Sequence, residues 1–263
     1  MLSGNTITSN SAHGGGGICI YNNSSPTLLN NTIINNHGYY GGGINIERNC
    51  SPTLSCNAIA NNSANWGGGI SIGRNSSPTL LCNTITNNSA NWWGGGICVY
   101  DHSLPTLSCN TIRNNFTYYD GGGIYIYESS PTLSYNTIAN NFAYDNGGAI
   151  YISEYSSVNL TKCVIGMNKS KSSAIHDEYY SKVIIDSSLI IDNGGLAYIA
   201  SDADSGVTFK LTYSHIYYNT LQSDIEINNK SGVTINLENN FWWDTTDTEI
   251  SAKISGANDH TPW

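Results

Sequence analysis

One unit of about 26 residues is written along this chain from end to end, and that repeat constrains the fold more than any other feature. Six segments align closely: LSGNTITSN (2–10), LLNNTIINN (28–36), LSCNAIANN (54–62), LLCNTITNN (80–88), LSCNTIRNN (107–115) and LSYNTIANN (133–141). Four looser copies follow: LTKCVIGMN (160–168), IDSSLIIDN (185–193), LTYSHIYYN (211–219) and LENNFWWDT (237–245). Successive starts are 25–27 residues apart. Self-similarity at such a period marks a solenoid, in which each unit buries its apolar face against the next.

A regular unit reads SPTLxxNTIxNN, then four or five residues, then GGGIxIxxx. PTL, NTI and GIxI are short β-type pieces bounded by Asn, Gly, Ser or Pro. So much Gly, Asn and Ser leaves no room for a helix. A leucine-rich repeat is excluded because the second half of each unit is strand and turn. The calcium-binding nonapeptide β-helix is excluded because its Asp positions are missing. The expectation is an all-β, right-handed parallel β-helix of about ten coils with three strands per coil, each strand pairing with its copy about 4.8 Å away. Residues 1–263 form one domain in this reading: regular coils over 1–159, degenerate coils over 160–236 and a capping coil over 237–263. Phe241, Trp242, Trp243 and Trp263 are placed over the core opening at that end.

Alternation along a strand predicts the inward columns. They are Leu28, Leu54, Leu80, Leu107 and Leu133; Ile33, Ile59, Ile85, Ile112 and Ile138; and the pairs Ile44/Ile46, Ile70/Ile72, Ile97/Val99, Ile124/Ile126 and Ile150/Ile152. Asn5, Asn31, Asn57, Asn83, Asn110 and Asn136 are assigned to the left-handed position of a short turn, with amides stacked between coils. Asn36, Asn62, Asn88, Asn115 and Asn141 form a second such column. The seven cysteines read as mostly free, small hydrophobic residues. Their 26- or 27-residue spacing and the lack of a His in the column argue against zinc.

Charge narrows the function. The net charge is −9 and charged residues make up 11%. With no basic cluster to neutralise phosphates, nucleic acid is excluded as a partner. No apolar run has the length of a transmembrane helix. The chain begins in mid-repeat with no signal peptide ahead of it. It reads as a piece of a longer protein, or one whose leader is removed, with an uncapped first coil open to weak end-to-end self-association.

The pairing of an NNxA-type turn with GGAI or GGGI, clearest in NNFAYDNGGAIYI (140–152), resembles the repeats of polymorphic outer-membrane adhesins. All ten units resemble the right-handed parallel β-helix superfamily that includes pectate lyases. ENNFWWDTTDTEISAKI (238–254) is similar to the coil that often closes such domains. The resemblance implies a secreted or cell-surface protein that meets polysaccharide or another cell surface, and it leaves function open, because the fold hosts lyases, hydrolases, epimerases and adhesins.

The aromatic residues narrow the search. The residue before each glycine triplet is Gly14, Tyr40, Trp66, Trp93, Asp120 and Asn146 in turn, and the one before that is His13, Tyr39, Asn65, Trp92, Tyr119 and Asp145. Tyr100, Tyr125 and Tyr127 lie on the outward side of the following strand. Tyr39, Tyr40, Trp66, Trp92, Trp93, Tyr119, Tyr100, Tyr125 and Tyr127 are therefore the candidate ligand-binding residues, an aromatic wall beside a bare glycine floor, with Trp66, Trp92 and Trp93 expected in solvent. The competing structural reading is that the rings only stack between coils and cover backbone. The primary expectation is a non-catalytic module binding polysaccharide or a partner surface. One alternative is a polysaccharide lyase or glycoside hydrolase using Asp120 and Asp145, with Glu128 nearby; another is a structural spacer. No metal site or cofactor is expected, and the six histidines occupy different columns, so no nucleophile–base pair emerges.

Overall fold

The computed structural model describes residues 1–194, 197–200, 208–217, 219, 227–229, 235–242, 254–255 and 258–259. Its strands wind into a right-handed parallel solenoid of about eight described turns, with no helix among the described residues. The last of the ten sequence units fall largely outside the described residues, as do Trp243 and Trp263. Trp242 joins the core and Phe241 faces outward.

Four parallel sheets run along the axis, one more than the three expected. The PTL sheet contains Thr27–Leu29, Thr53–Ser55 and their successors. The NTI sheet contains Thr32–Ile34, Ala58–Ala60 and theirs. The GIxI sheet contains Ile44–Glu47, Ile70–Gly73, Ile97–Val99, Ile124–Tyr127, Ile150–Ser153 and Ile175–Glu178. The fourth sheet has six strands and is confined to the regular coils, from Ser11–Gly14 through His37–Tyr40, Ser63–Trp66 and Ser89–Trp93 to Phe142–Ala143. These are the segments ahead of the glycines, and we call this the aromatic sheet.

Register follows the repeat: Leu54 pairs with Leu80, Ile59 with Ile85, and Ile70 with Ile97. Every inward Leu, Ile and Val expected from the alternation lies in one continuous buried core. Side chains of this kind contribute roughly 1.5–3 kcal/mol each when removed from water.

Both Asn columns are buried ladders. Asn57 accepts at Oδ1 from the backbone N–H and the amide of Asn31, and donates from Nδ2 to Leu28 O and Asn83 Oδ1. Asn62 and Asn88 repeat this pattern in the second column. The left-handed residue is not the ladder Asn but the one before it: Asn30, Cys56, Cys82 and Cys109 in one turn, Asn35, Asn61, Asn87 and Asn114 in the other. The ladder amide must point inward to reach its neighbours, so the preceding residue absorbs the turn. A third ladder was not foreseen. Cys50, Ser76, Ser103 and Ser129 each donate a backbone N–H to the hydroxyl of the next coil.

All seven cysteines are free, but only Cys50, Cys98 and Cys163 are buried; Cys19, Cys56, Cys82 and Cys109 are exposed. The small-hydrophobe reading therefore fits three of the seven. No helix among the described residues is long and apolar enough to cross a membrane, a statement that does not bear on β-barrels.

Candidate functional site: an aromatic groove and its polar end

The glycine triplets create the site. The first glycine has a positive φ, +61° at Gly41 and +65° at Gly67, where a side chain is strained. The other two lie against backbone: a Cβ on Gly68 would sit 2.4 Å from Ser89 O and 2.5 Å from Gly95 O. This sharp corner joins the aromatic sheet to the GIxI sheet. The rings at the end of each aromatic strand consequently lie on the outer face of the GIxI strands. Trp66, Trp93, Tyr100 and Tyr127 pack there against Cys98, Tyr125 and Tyr151, a second apolar cluster outside the core.

The rings run continuously across coils. Tyr40 and Trp66 have centroids 5.8 Å apart, Trp66 and Trp93 4.4 Å, Trp93 and Tyr125 5.7 Å, Tyr125 and Tyr151 5.2 Å, and Tyr151 and His176 5.2 Å. Their orientations divide the row. Tyr125, Tyr151 and His176 are face to face, within 3° and 10°, so each covers its neighbour's face. Trp66 is turned 70° from Trp93 and 57° from Tyr100, leaving faces open. At this point the groove widens into a cleft of about 350 Å³ lined by Trp66, Trp93, Tyr100, Asp101, Tyr125 and Tyr127.

Tyr100 depends on a missing side chain. Its ring lies over Gly73 so closely that a Cβ there would be 2.3 Å from the ring. It thereby reaches back two coils, and its hydroxyl donates to Glu47 Oε1 at 2.7 Å. Glu47 is also 3.7 Å from the Arg74 guanidinium. Burial first, and the bond to Glu47 second, push the Tyr100 hydroxyl far above its ordinary pKa. Glu47 and Arg74 border a smaller cleft of about 250 Å³ with His13, Tyr21 and Tyr40.

The candidate ligand residues therefore fall into three settings. Tyr40, Trp66, Trp93, Tyr100, Tyr125 and Tyr127 share the groove. Tyr39 and Trp92 touch each other (5.6 Å) in a parallel outer row that His13 joins. Tyr119 is exposed, at 49%. Trp66, Trp92 and Trp93 are half-buried, less open than expected, because they pack on one another and on the strand beneath. The Trp66 indole nitrogen is buried without a hydrogen-bond partner.

The acidic candidates do not form one cluster: the Asp145 charge acts on Asp120, whereas Glu128 lies elsewhere. Asp120 Oδ1 accepts from the Asn146 backbone and amide at 3.1 and 2.9 Å. Burial raises its pKa, opposed by those bonds and by the His176 charge. Asp145 is held by Lys171 at 3.0 Å. Glu128 lies beyond the other end of strand Ile124–Tyr127 and lines a separate cleft of about 460 Å³ with His102, Leu104 and Tyr155.

A polar cluster at the C-terminal end of the groove escaped the sequence reading. His176 Nδ1 lies 3.1 Å from Ser172 Oγ, and His176 Nε2 lies 3.2 Å from Glu178 Oε2. Tyr151 donates its hydroxyl to Glu178 Oε1. Burial works against the Glu178 carboxylate, but the bonds from His176 and Tyr151 outweigh it and lower its pKa. A serine–histidine contact therefore lies here, which comparing histidine columns does not reveal.

A family profile described as a right handed beta helix region matches residues 1–112 and 95–242. The chain belongs to that family. No curated protein and no solved structure matches it.

Proposed function

We propose that this β-helix binds an extended polysaccharide at an extracytoplasmic surface, along the groove between the aromatic and GIxI sheets. The observation that carries the reading is the break in ring stacking at Trp66, Trp93 and Tyr100. Stacked rings offer only edges, whereas tilted rings offer faces, and the apolar C–H face of a pyranose packs on an aromatic face. Partly exposed rings gathered on one surface also fit an interaction site. Carboxylate and guanidinium groups at Glu47 and Arg74, and Asp101 at the cleft rim, supply partners for sugar hydroxyls. The reading keeps an apolar centre with a few polar groups, the common form of a ligand site.

The groove continues past the cleft, so contacts add along a chain. Polymers should bind better than di- or trisaccharides. The test is affinity electrophoresis of the protein through gels carrying a panel of neutral and acidic polysaccharides. Retardation by at least one polymer, lost in Trp66→Ala, supports the proposal. Equal mobility of wild type and variant in every gel would exclude it.

A further inference from the structure

We propose that Ser172, His176 and Glu178 form an acyl-transfer centre that hydrolyses carboxylic esters of small acyl groups. The inference stands on its own residues and does not depend on the polysaccharide reading.

The cluster is placed by the repeat and made by a departure from it. Counting back from the Ile150–Ile175 pair, Ser172 stands opposite Gly147, the first glycine of the preceding corner. His176 pairs in register with Tyr151, so it continues the column of Cys98 and Tyr125. In this coil SSA (172–174) replaces GGA (147–149), and the segment from Asn168 to Ile175 is two residues shorter than its counterpart from Asn141 to Ile150. The shortened turn is braced by Ser170, whose Oγ accepts the backbone N–H groups of Ser172 and Ser173 at 3.2 and 3.0 Å and donates to Ser173 O. It leaves the Ser172 hydroxyl beside the imidazole.

The proton positions follow from the acid. An ionised Glu178 can only accept, so His176 donates from Nε2–H. That fixes the tautomer: Nδ1 carries the lone pair and accepts the Ser172 Oγ–H. The Tyr151 ring, parallel to the imidazole within 10°, and its hydroxyl bond to Glu178 hold the plane. Nucleophile, base and orienting acid are thus connected in the order that activates a serine. The ring nitrogens are exchanged relative to the commonest arrangement, which leaves the proton path intact.

A donor for the developing oxyanion is also present. In the earlier coils the first glycine of each triplet donates its N–H to the next coil: Gly15 to Tyr40 O, Gly41 to Trp66 O, Gly67 to Trp93 O, Gly94 to Asp120 O, Gly121 to Asn146 O. Gly147, whose counterpart in the next coil is Ser172, makes no such bond. We assign that N–H, opposite Ser172 in the register, to the oxyanion.

The reaction balances with water as co-reactant. Ser172 Oγ attacks the ester carbonyl while its proton passes to His176 Nδ1. The C–O bond to the alcohol breaks, and the alcohol leaves with that proton. Water then attacks the acyl-serine, His176 takes and returns a proton, and the carboxylic acid departs. Glu178 stays ionised throughout.

The experiment is hydrolysis of p-nitrophenyl acetate by the full chain, alongside covalent labelling with a fluorophosphonate and peptide mass mapping. The expected result is a label on Ser172 and turnover that falls about 10²–10⁴-fold in Ser172→Ala. Glu178→Gln should lower the rate and move the alkaline-rising limb of the pH profile to lower pH, because a neutral amide stabilises the imidazolium less. A purely structural role for Glu178 would not move that limb. Wild-type turnover no faster than Ser172→Ala, or a label that leaves Ser172 unmodified, would overturn the proposal. The labelling result does not rely on any variant folding.

Discussion

The coils over residues 28–159 and the described residues of those from 160 onward share one backbone path but not one chemistry. In the first region the inward Leu, Ile and Val columns are unbroken, as are both Asn ladders, and each corner carries at least two glycines. In the second, Cys163 and Ser188 stand where the first ladder had Asn, while Asn168, Asn193 and Asn219 continue the second. Asp177 takes the core position occupied by Ile152 in the preceding coil. It is fully buried, and neither carboxylate oxygen has a hydrogen-bond partner. The aromatic sheet also ends there, and the serine–histidine–glutamate cluster begins. Regularity builds the scaffold, and specific chemistry enters where the repeat is broken.

The largest effects should come from breaking the regular region. Gly68→Ala drives a Cβ into two backbone carbonyls, which should cost about 4 kcal/mol or more as an overpacked site that cannot relax. At Gly194, in the later region, the nearest atom to such a Cβ is 3.8 Å away, and Gly194→Ala should leave the melting temperature nearly unchanged. Equal melting temperatures for the two variants would refute the idea that only the regular corners are tightly packed.

Next in size is the ladder. Asn88→Ala removes the acceptor of two Asn62 donors and the donor to Ile59 O. Stranding those buried groups should cost about 2–4 kcal/mol in denaturant unfolding. A loss below roughly 0.5 kcal/mol, the scale of an ordinary surface substitution, would mean that water or a shifted backbone replaces the ladder.

Asp177 should act in the opposite direction. Burial, reinforced by the nearby Glu178 charge, raises its pKa well above the usual carboxylate value. The folded state therefore holds this proton more tightly than the unfolded chain. Its contribution to stability falls as pH rises from the ordinary carboxylate range through the raised folded pKa, then levels off. Asp177→Ile should remove that slope and raise stability at neutral pH by about 1–3 kcal/mol. Melting curves across pH check it: parallel profiles for the two proteins would contradict an unpaired acid in the core.

Much of this was legible in the sequence, because a fixed period turns each position into a column. The Leu and Ile columns and the two Asn ladders follow from spacing alone. The aromatic sheet did not, since HGYY and SANW lack the β-branched alternation of a strand and read as turn. The serine ladder was hidden in SSP, which resembles a plain loop. Tyr100 reaching over Gly73 spans two coils, beyond any nearest-copy alignment. Ser172 was missed because two residues are deleted between Asn168 and Ile175, and a search for histidines sharing a column could not find a serine four residues away.

The central functional claim is that tilted rings bind ligand and stacked rings do not. Phe116 and Phe142 provide the control: they stack within 2° at 5.8 Å, with Phe142 exposed, in a different row of the same solenoid. The direct measurement is the affinity of Trp93→Ala and Phe142→Ala for the polysaccharide that retards the wild type. Trp93→Ala should weaken binding about tenfold, which corresponds to roughly 1.4 kcal/mol, while Phe142→Ala binds as the wild type does. Equal losses in both variants, or a loss in Phe142→Ala alone, would contradict the account.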